Sequence, residues 1–107
     1  MSIREEKVKE QVSHLAAEFL REEASPSSML TVTNAIFNEQ NNLAIIYFTV
    51  FPEKFEHTAL EFAKRKRKDF REFVKSRMRI RDIPFFDFEI DKGEKNRQLI
   101  DSIGINL

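Results

Sequence analysis

Ten of the eighteen residues from Lys64 to Arg81 are basic (Lys64, Arg65, Lys66, Arg67, Lys68, Arg71, Lys75, Arg77, Arg79 and Arg81), against Asp69 and Glu72, a local balance of +8. The rest of the 107-residue chain carries the compensating −8, so a formal net charge of zero conceals two opposed fields. Five consecutive cations, Lys64 to Lys68, repel one another and are relieved most when a polyanion neutralises them. The chemistry open to this pattern is recognition of phosphate backbones, with membrane headgroups as the second candidate. On a helical wheel Lys64, Lys68, Arg71, Lys75 and Arg79 lie opposite Phe70 and Phe73 and would form a ridge reaching into solvent. The candidate phosphate-binding set is Lys64, Arg65, Lys66, Arg67, Lys68, Arg71, Lys75, Arg79 and Arg81. The competing reading is a solvated helix face, steadied by pairs such as Glu72 with Lys68 or Lys75.

Other chemistries find little support. With no cysteine, disulfides, thiolate catalysis and zinc-cysteine sites are excluded. The only two histidines, His14 and His57, sit in contexts that resemble helix faces. Asp87, Glu89 and Asp91 alternate along a strand pattern, as solvated outer-face carboxylates do. No acid and base pair, glycine-rich phosphate loop or activated nucleophile can be nominated, so neither a catalytic residue, a metal ligand nor a cofactor is expected. Most of the eleven phenylalanines fall at core periodicity. Phe51, Phe55 and Phe85, beside prolines or at element ends, are the exceptions that could stack on bases.

The elements that must position these residues follow from periodicity. Between Arg4 and Glu23 the apolar positions Val8, Val12, Leu15, Ala16, Phe19 and Leu20 recur at helical spacing. The stretch Ala24-Ser25-Pro26-Ser27-Ser28 ends that helix. Two strands follow, Leu30 to Phe37 and Leu43 to Phe51, joined at Glu39-Gln40-Asn41-Asn42 as a hairpin. The second strand is apolar on both faces, which suits a central position. A helical pattern then runs from Pro52 to about Arg81. As a single rod it would be about 28 residues and 42 Å long, overhanging a domain with a radius of gyration of about 13 Å. Lys66 and Arg77 would also point into its apolar stripe. A break between Ala63 and Phe70 is therefore expected. After Asp82-Ile83-Pro84, the alternation Phe86, Phe88, Ile90 predicts a strand buried on one face. Leu99, Ile100 and Ile103 suggest a short closing helix.

The order helix, strand, strand, helix, helix, strand describes one α+β domain over residues 1–107, with its helices on one face of a three-stranded sheet. The longest apolar stretch, Leu43 to Phe51, is too short to span a bilayer, and the charged N-terminus does not read as a signal peptide. No membrane association is expected.

The chain resembles the ribosome-binding factor A family of bacterial small-subunit maturation factors. The resemblance is carried by Val8, Val12 and Leu15; by Leu30-Thr31-Val32-Thr33; by Leu43-Ala44-Ile45-Ile46-Tyr47-Phe48; and most specifically by Arg71 with Met78-Arg79-Ile80-Arg81-Asp82-Ile83-Pro84-Phe85-Phe86-Asp87-Phe88 and Asp91. It implies a type II KH-like fold and binding to 16S ribosomal RNA in the immature 30S subunit. It further implies assistance in 5′-end processing and no catalysis, with a cytoplasmic monomer and no small-molecule substrate as the accompanying expectations. Where the family has an Ala-x-Gly kink between its two helices, this chain has Lys66-Arg67-Lys68. The alternative function is a protein-interaction module that docks a basic partner through the acidic first helix and last strand.

Overall fold

A computed structural model describes residues 3–23 and 27–93. The closing helix expected at Leu99 to Ile103 lies outside these residues. Helix α1 spans Ile3–Glu23, strand β1 Met29–Asn38 and strand β2 Leu43–Phe51. A 3-10 turn at Glu53–Phe55 leads into helix α2, Glu56–Arg65, followed by helix α3, Arg67–Arg77, and strand β3, Phe85–Ile90. The sheet order is β1-β2-β3, with β2 antiparallel to β1 and parallel to β3. This is the α+β, KH-like arrangement expected, with the doubly apolar strand at its centre.

The hairpin turn closes through Asn42, whose φ of 52° is a left-handed conformation that asparagine tolerates better than most residues. On β1, the apolar phase changes from Leu30 and Val32 to Ala35 and Phe37. A bulge between Val32 and Asn34 absorbs the extra residue, so both halves of the strand face the core. Across the sheet Ala35 pairs with Ile46, Ile46 with Phe88, and Ala44 with Phe86, which puts these side chains on one buried face.

All three helices cover that face. From α1, Val8, Val12, Ala16, Phe19 and Leu20 are buried; from α2, Ala59 and Ala63; from α3, Phe70 and Val74. The Phe70 ring is the meeting point, 5.3 Å from Phe19, 4.8 Å from Phe86 and 5.5 Å from Phe88 between centroids. Among the described residues no helix is long and apolar enough to cross a membrane.

The break between α2 and α3 falls at Lys66, inside the expected interval. Its backbone adopts φ −94° and ψ 8°. Its N–H still donates to the carbonyls of Phe62 and Ala63, each at 3.1 Å, so the turn is tight and hydrogen-bonded. The two helices, of 10 and 11 residues, are each about 15–17 Å long and fit over the sheet. Neither cation expected in the apolar stripe is buried bare. The Lys66 ammonium turns out toward Asp69 at 3.6 Å, and the Arg77 guanidinium lies over the Phe73 ring at 4.7 Å, with Glu18 at 3.4 Å.

Helix α3 ends earlier than its composition suggests. Met78 is already extended, with φ −113° and ψ 138°, and Met78, Ile83 and Pro84 are buried in the segment that leads to β3. Arg79 and Arg81 are therefore exposed on an irregular strap, and Arg79 does not continue the ridge of α3. Burial explains the early stop: the extended strap keeps Met78 buried and also brings Ile83 and Pro84 against the core, whereas a helix continued to residue 83 would turn Ile83 to the side opposite Val74.

The contrast between two neighbouring aromatics tests this assignment. Phe88 is fully buried, whereas Phe85 is 59% exposed. Phe88→Ala should cost about 3–5 kcal/mol in chemical denaturation and Phe85→Ala less than about 1 kcal/mol. Equal midpoints would show that the strand faces are wrongly assigned.

Candidate nucleic-acid interface

The α2–α3 break brings the end of one cationic helix and the start of the next to the edge of β3. There, Lys64, Arg65, Arg67, Lys68 and Arg71 line a groove of about 760 Å³, together with Glu72, Phe85 and Phe86. Five of the nine candidate residues thus share one site. Lys66 is directed to Asp69, Lys75 stands farther along α3, and Arg79 and Arg81 are on the strap, none of them lining the groove.

The groove cations are not equivalent. Asp87 and Glu89 alternate with buried Phe86 and Phe88, and β3 is an edge strand, so a helix on the buried side can reach their carboxylates past the edge. Lys64 does so, donating to Asp87 Oδ1 and Glu89 Oε1, both at 3.0 Å. Arg67 Nη1 adds a third contact, 3.3 Å from the same Asp87 oxygen. Arg71 has another task. Its Nε donates to the Pro84 carbonyl at 3.1 Å and its Nη2 to the Ile83 carbonyl at 3.0 Å, satisfying backbone acceptors of a strap that has no ladder partner. Its guanidinium lies 4.6 Å from the centroid of the Phe85 ring.

Arg65, Lys68 and Lys75 are exposed and make no ion pair among the described residues. The pairs of Glu72 with Lys68 or Lys75, which a merely solvated face would form, are not among the ion pairs found there. The uniform solvent-facing ridge read from the helical wheel is therefore replaced by two classes. Lys64, Arg67 and Arg71 bind parts of this chain, while Arg65, Lys68 and Lys75 remain available. His14 and His57 are exposed on helices, and His57 Nε2 lies 3.2 Å from Glu61.

Sequence reasoning missed the role of β3 in this site. Asp87 and Glu89 read as solvated carboxylates and Phe85 only as an aromatic at an element end. Their alternation was a visible signal for the face they occupy, but nothing local indicated that Lys64, 23 residues away from Asp87, would meet them.

Burial penalises the Asp87 carboxylate. It is outweighed by the Lys64 hydrogen bond, the Phe88 N–H at 2.9 Å and the charges of Lys64 and Arg67, which together hold Asp87 below its ordinary value of 3.8. Burial likewise opposes the charge on Lys64, and its hydrogen bonds and attraction to Asp87 and Glu89 raise it above 10.5. A lowered carboxylate pKa stabilises the fold above its unfolded value, and that contribution disappears as pH falls through the native one. The stability advantage of the wild type over Asp87→Asn, up to about 1 kcal/mol near neutrality, should therefore hold down to about pH 4 and shrink below it. Thermal melts of both proteins from pH 7 to pH 2 measure it, and a pH-independent gap would contradict the pairing.

The model of the ribosome-binding factor A family matches residues 4–103. Two solved structures are similar in fold. The crystal structure of ribosome-binding factor A from Thermus thermophilus superposes with a TM-score of 0.71 at 22% identity, covering 80% of this chain and 93% of that one. The solution structure of a Thermotoga maritima protein described as a putative ribosome binding factor A gives a TM-score of 0.69 at 22% identity, covering 87% of this chain and 92% of that one. No curated protein sequence matches significantly. With the family's pattern running from the first helix through the Pro84 strap and beyond β3, the chain belongs to the ribosome-binding factor A family.

Proposed function

We propose that this protein is a non-catalytic assembly factor that binds 16S ribosomal RNA in the immature small subunit and assists its maturation and 5′-end processing. It acts as a cytoplasmic monomer, a single RNA-binding domain over residues 1–107. The observation that carries the reading is the cationic groove between α2, α3 and β3, in which Arg65 and Lys68 form no ion pair among the described residues and Lys75 extends the same face. Phosphates close to these side chains release condensed counterions, the general source of affinity for nucleic acid. Family membership supplies the ribosomal context.

The alternative, a module docking a basic partner through acidic α1 and β3, is weakened by a specific observation. The β3 carboxylates Asp87 and Glu89 already neutralise Lys64 and Arg67. A basic partner would have to displace those cations.

Binding to structured ribosomal RNA, measured by filter retention at several salt concentrations, tests the reading. Lys68→Glu combined with Lys75→Glu should weaken binding to every structured RNA and flatten the logarithmic salt slope by roughly two units, about 0.9 per duplex phosphate contact. Stability should change by less than about 0.5 kcal/mol, since both residues are exposed. Reversing exposed Lys7 and Arg21 on α1 should do neither, and unchanged affinity and slope in the α3 variant would put the interaction module first.

The opposite change follows from the ion pairs. Asp87→Asn with Glu89→Gln releases Lys64 and Arg67 from their carboxylates, so RNA affinity should rise and the salt slope steepen by roughly two units. A fall in affinity would mean that the acidic pair positions these cations for RNA instead of competing with it.

A further inference from the structure

Among the described residues the most exposed large apolar side chains are Phe51 at 74%, Met29 at 66%, Phe85 at 59% and Ile36 at 48%. Only Phe85 lies among the groove cations. Phe51 and Met29 border a different hollow, in which Arg21 is the one cation among the described residues. An aromatic ring left in water inside a cationic groove loses the benefit of burial, and nothing in the core requires it there.

The ring is also held ready. Phe85 opens β3, pairs with Leu43, and donates its backbone N–H to the Asn42 carbonyl at 2.9 Å. Arg71, over the ring at 4.6 Å, is itself fixed by the carbonyls of Ile83 and Pro84. The result is an exposed aromatic ring held at the start of β3, with the fixed guanidinium over it. Lys68 and Arg65 line the same groove and are available for the phosphates that flank a stacked base.

From this geometry we infer that Phe85, with Arg71, is a stacking platform for one unpaired base, so that the groove takes a single-stranded RNA segment in preference to a blunt duplex. The inference rests on the RNA-binding reading above and names the form of RNA that the groove selects. Bases inside a duplex cannot offer a free face, whereas an unpaired base of any sequence can. Stacking adds affinity without releasing counterions, so its loss leaves the salt slope unchanged.

The test compares a ten-nucleotide single-stranded RNA carrying one 2-aminopurine with a blunt RNA duplex of equal length. Phe85→Leu retains apolar volume and removes the ring; it should weaken single-strand binding about tenfold, abolish the 2-aminopurine quenching and keep the wild-type salt slope. Duplex binding should be unchanged. Phe85→Trp should retain single-strand affinity and quenching, and Phe51→Leu should behave as wild type. Wild-type single-strand affinity in Phe85→Leu, or equal losses on both RNAs, overturns the platform. If Lys68→Glu with Lys75→Glu still weakens both RNAs in that case, the RNA-binding reading stands and only stacking fails. A wild-type protein that binds neither RNA overturns both.

Discussion

The direction in which the cations face is fixed by the burial of Phe70. Its ring touches Phe19 of α1 and Phe86 and Phe88 of β3, so one side chain joins two helices to the sheet. Burying such a ring is worth about 1.5–3 kcal/mol, and each aromatic contact adds about 0.5–1.5 kcal/mol, so rotating α3 about its axis is prohibitive. With Phe70 and Val74 inward, Lys68 and Lys75 can only face water. The break at Lys66 belongs to the same constraint. On an unbroken helix Lys66 would share the azimuth of Ala59, Phe62 and Phe73, and the ammonium would enter the core; ending α2 there keeps Ala63 and Phe70 buried while Lys66 turns to Asp69.

The groove is bounded on its strand side by carboxylates of the same chain. Asp87 and Glu89 place negative charge next to Lys64 and Arg67, so that in and beside the groove the cations without an ion pair among the described residues are Arg65, Lys68, Arg71 and Lys75. A chain with no net charge can in this way present a local cationic face while its acidic remainder discourages wrapping by a polyanion. The acidic residues of β3 therefore serve two purposes: they anchor α2 to the sheet edge, and they limit the footprint.

Periodicity carried most of the fold. Alternation identified the buried side of β3 at Phe86, Phe88 and Ile90, whereas the bulge between Val32 and Asn34 emerges only in the structure. A length argument and one misplaced lysine located the helix break. Contacts between residues distant in sequence were not legible. The end of α3 is decided where Ile83 and Pro84 pack into the core, and the character of the groove where Lys64 meets Asp87 and Glu89, in both cases after tertiary packing has brought separate elements together. A helical wheel treats every cation on one azimuth alike, and it is these contacts that divide them.

The chemistry of the break bears on how such a site can discriminate. A glycine there would leave the backbone bare for close approach by a ligand, whereas this chain places Lys66-Arg67-Lys68 at that position. Lys66 needs no left-handed backbone, since its φ is −94°, and the turn is secured by its own N–H. Long flexible cations exchange backbone proximity for reach: they attract phosphates from a distance, but a point charge on a mobile stem carries little shape information. Discrimination must then come from rigid groups beside them. In this groove the rigid groups are the Arg71 guanidinium, fixed by two carbonyls, and the Phe85 ring beneath it, both held by the strap whose burial stops α3 early. On the proposed reading, attraction and selection fall to different elements, the helices supplying charge on long stems and the start of β3 supplying a fixed surface.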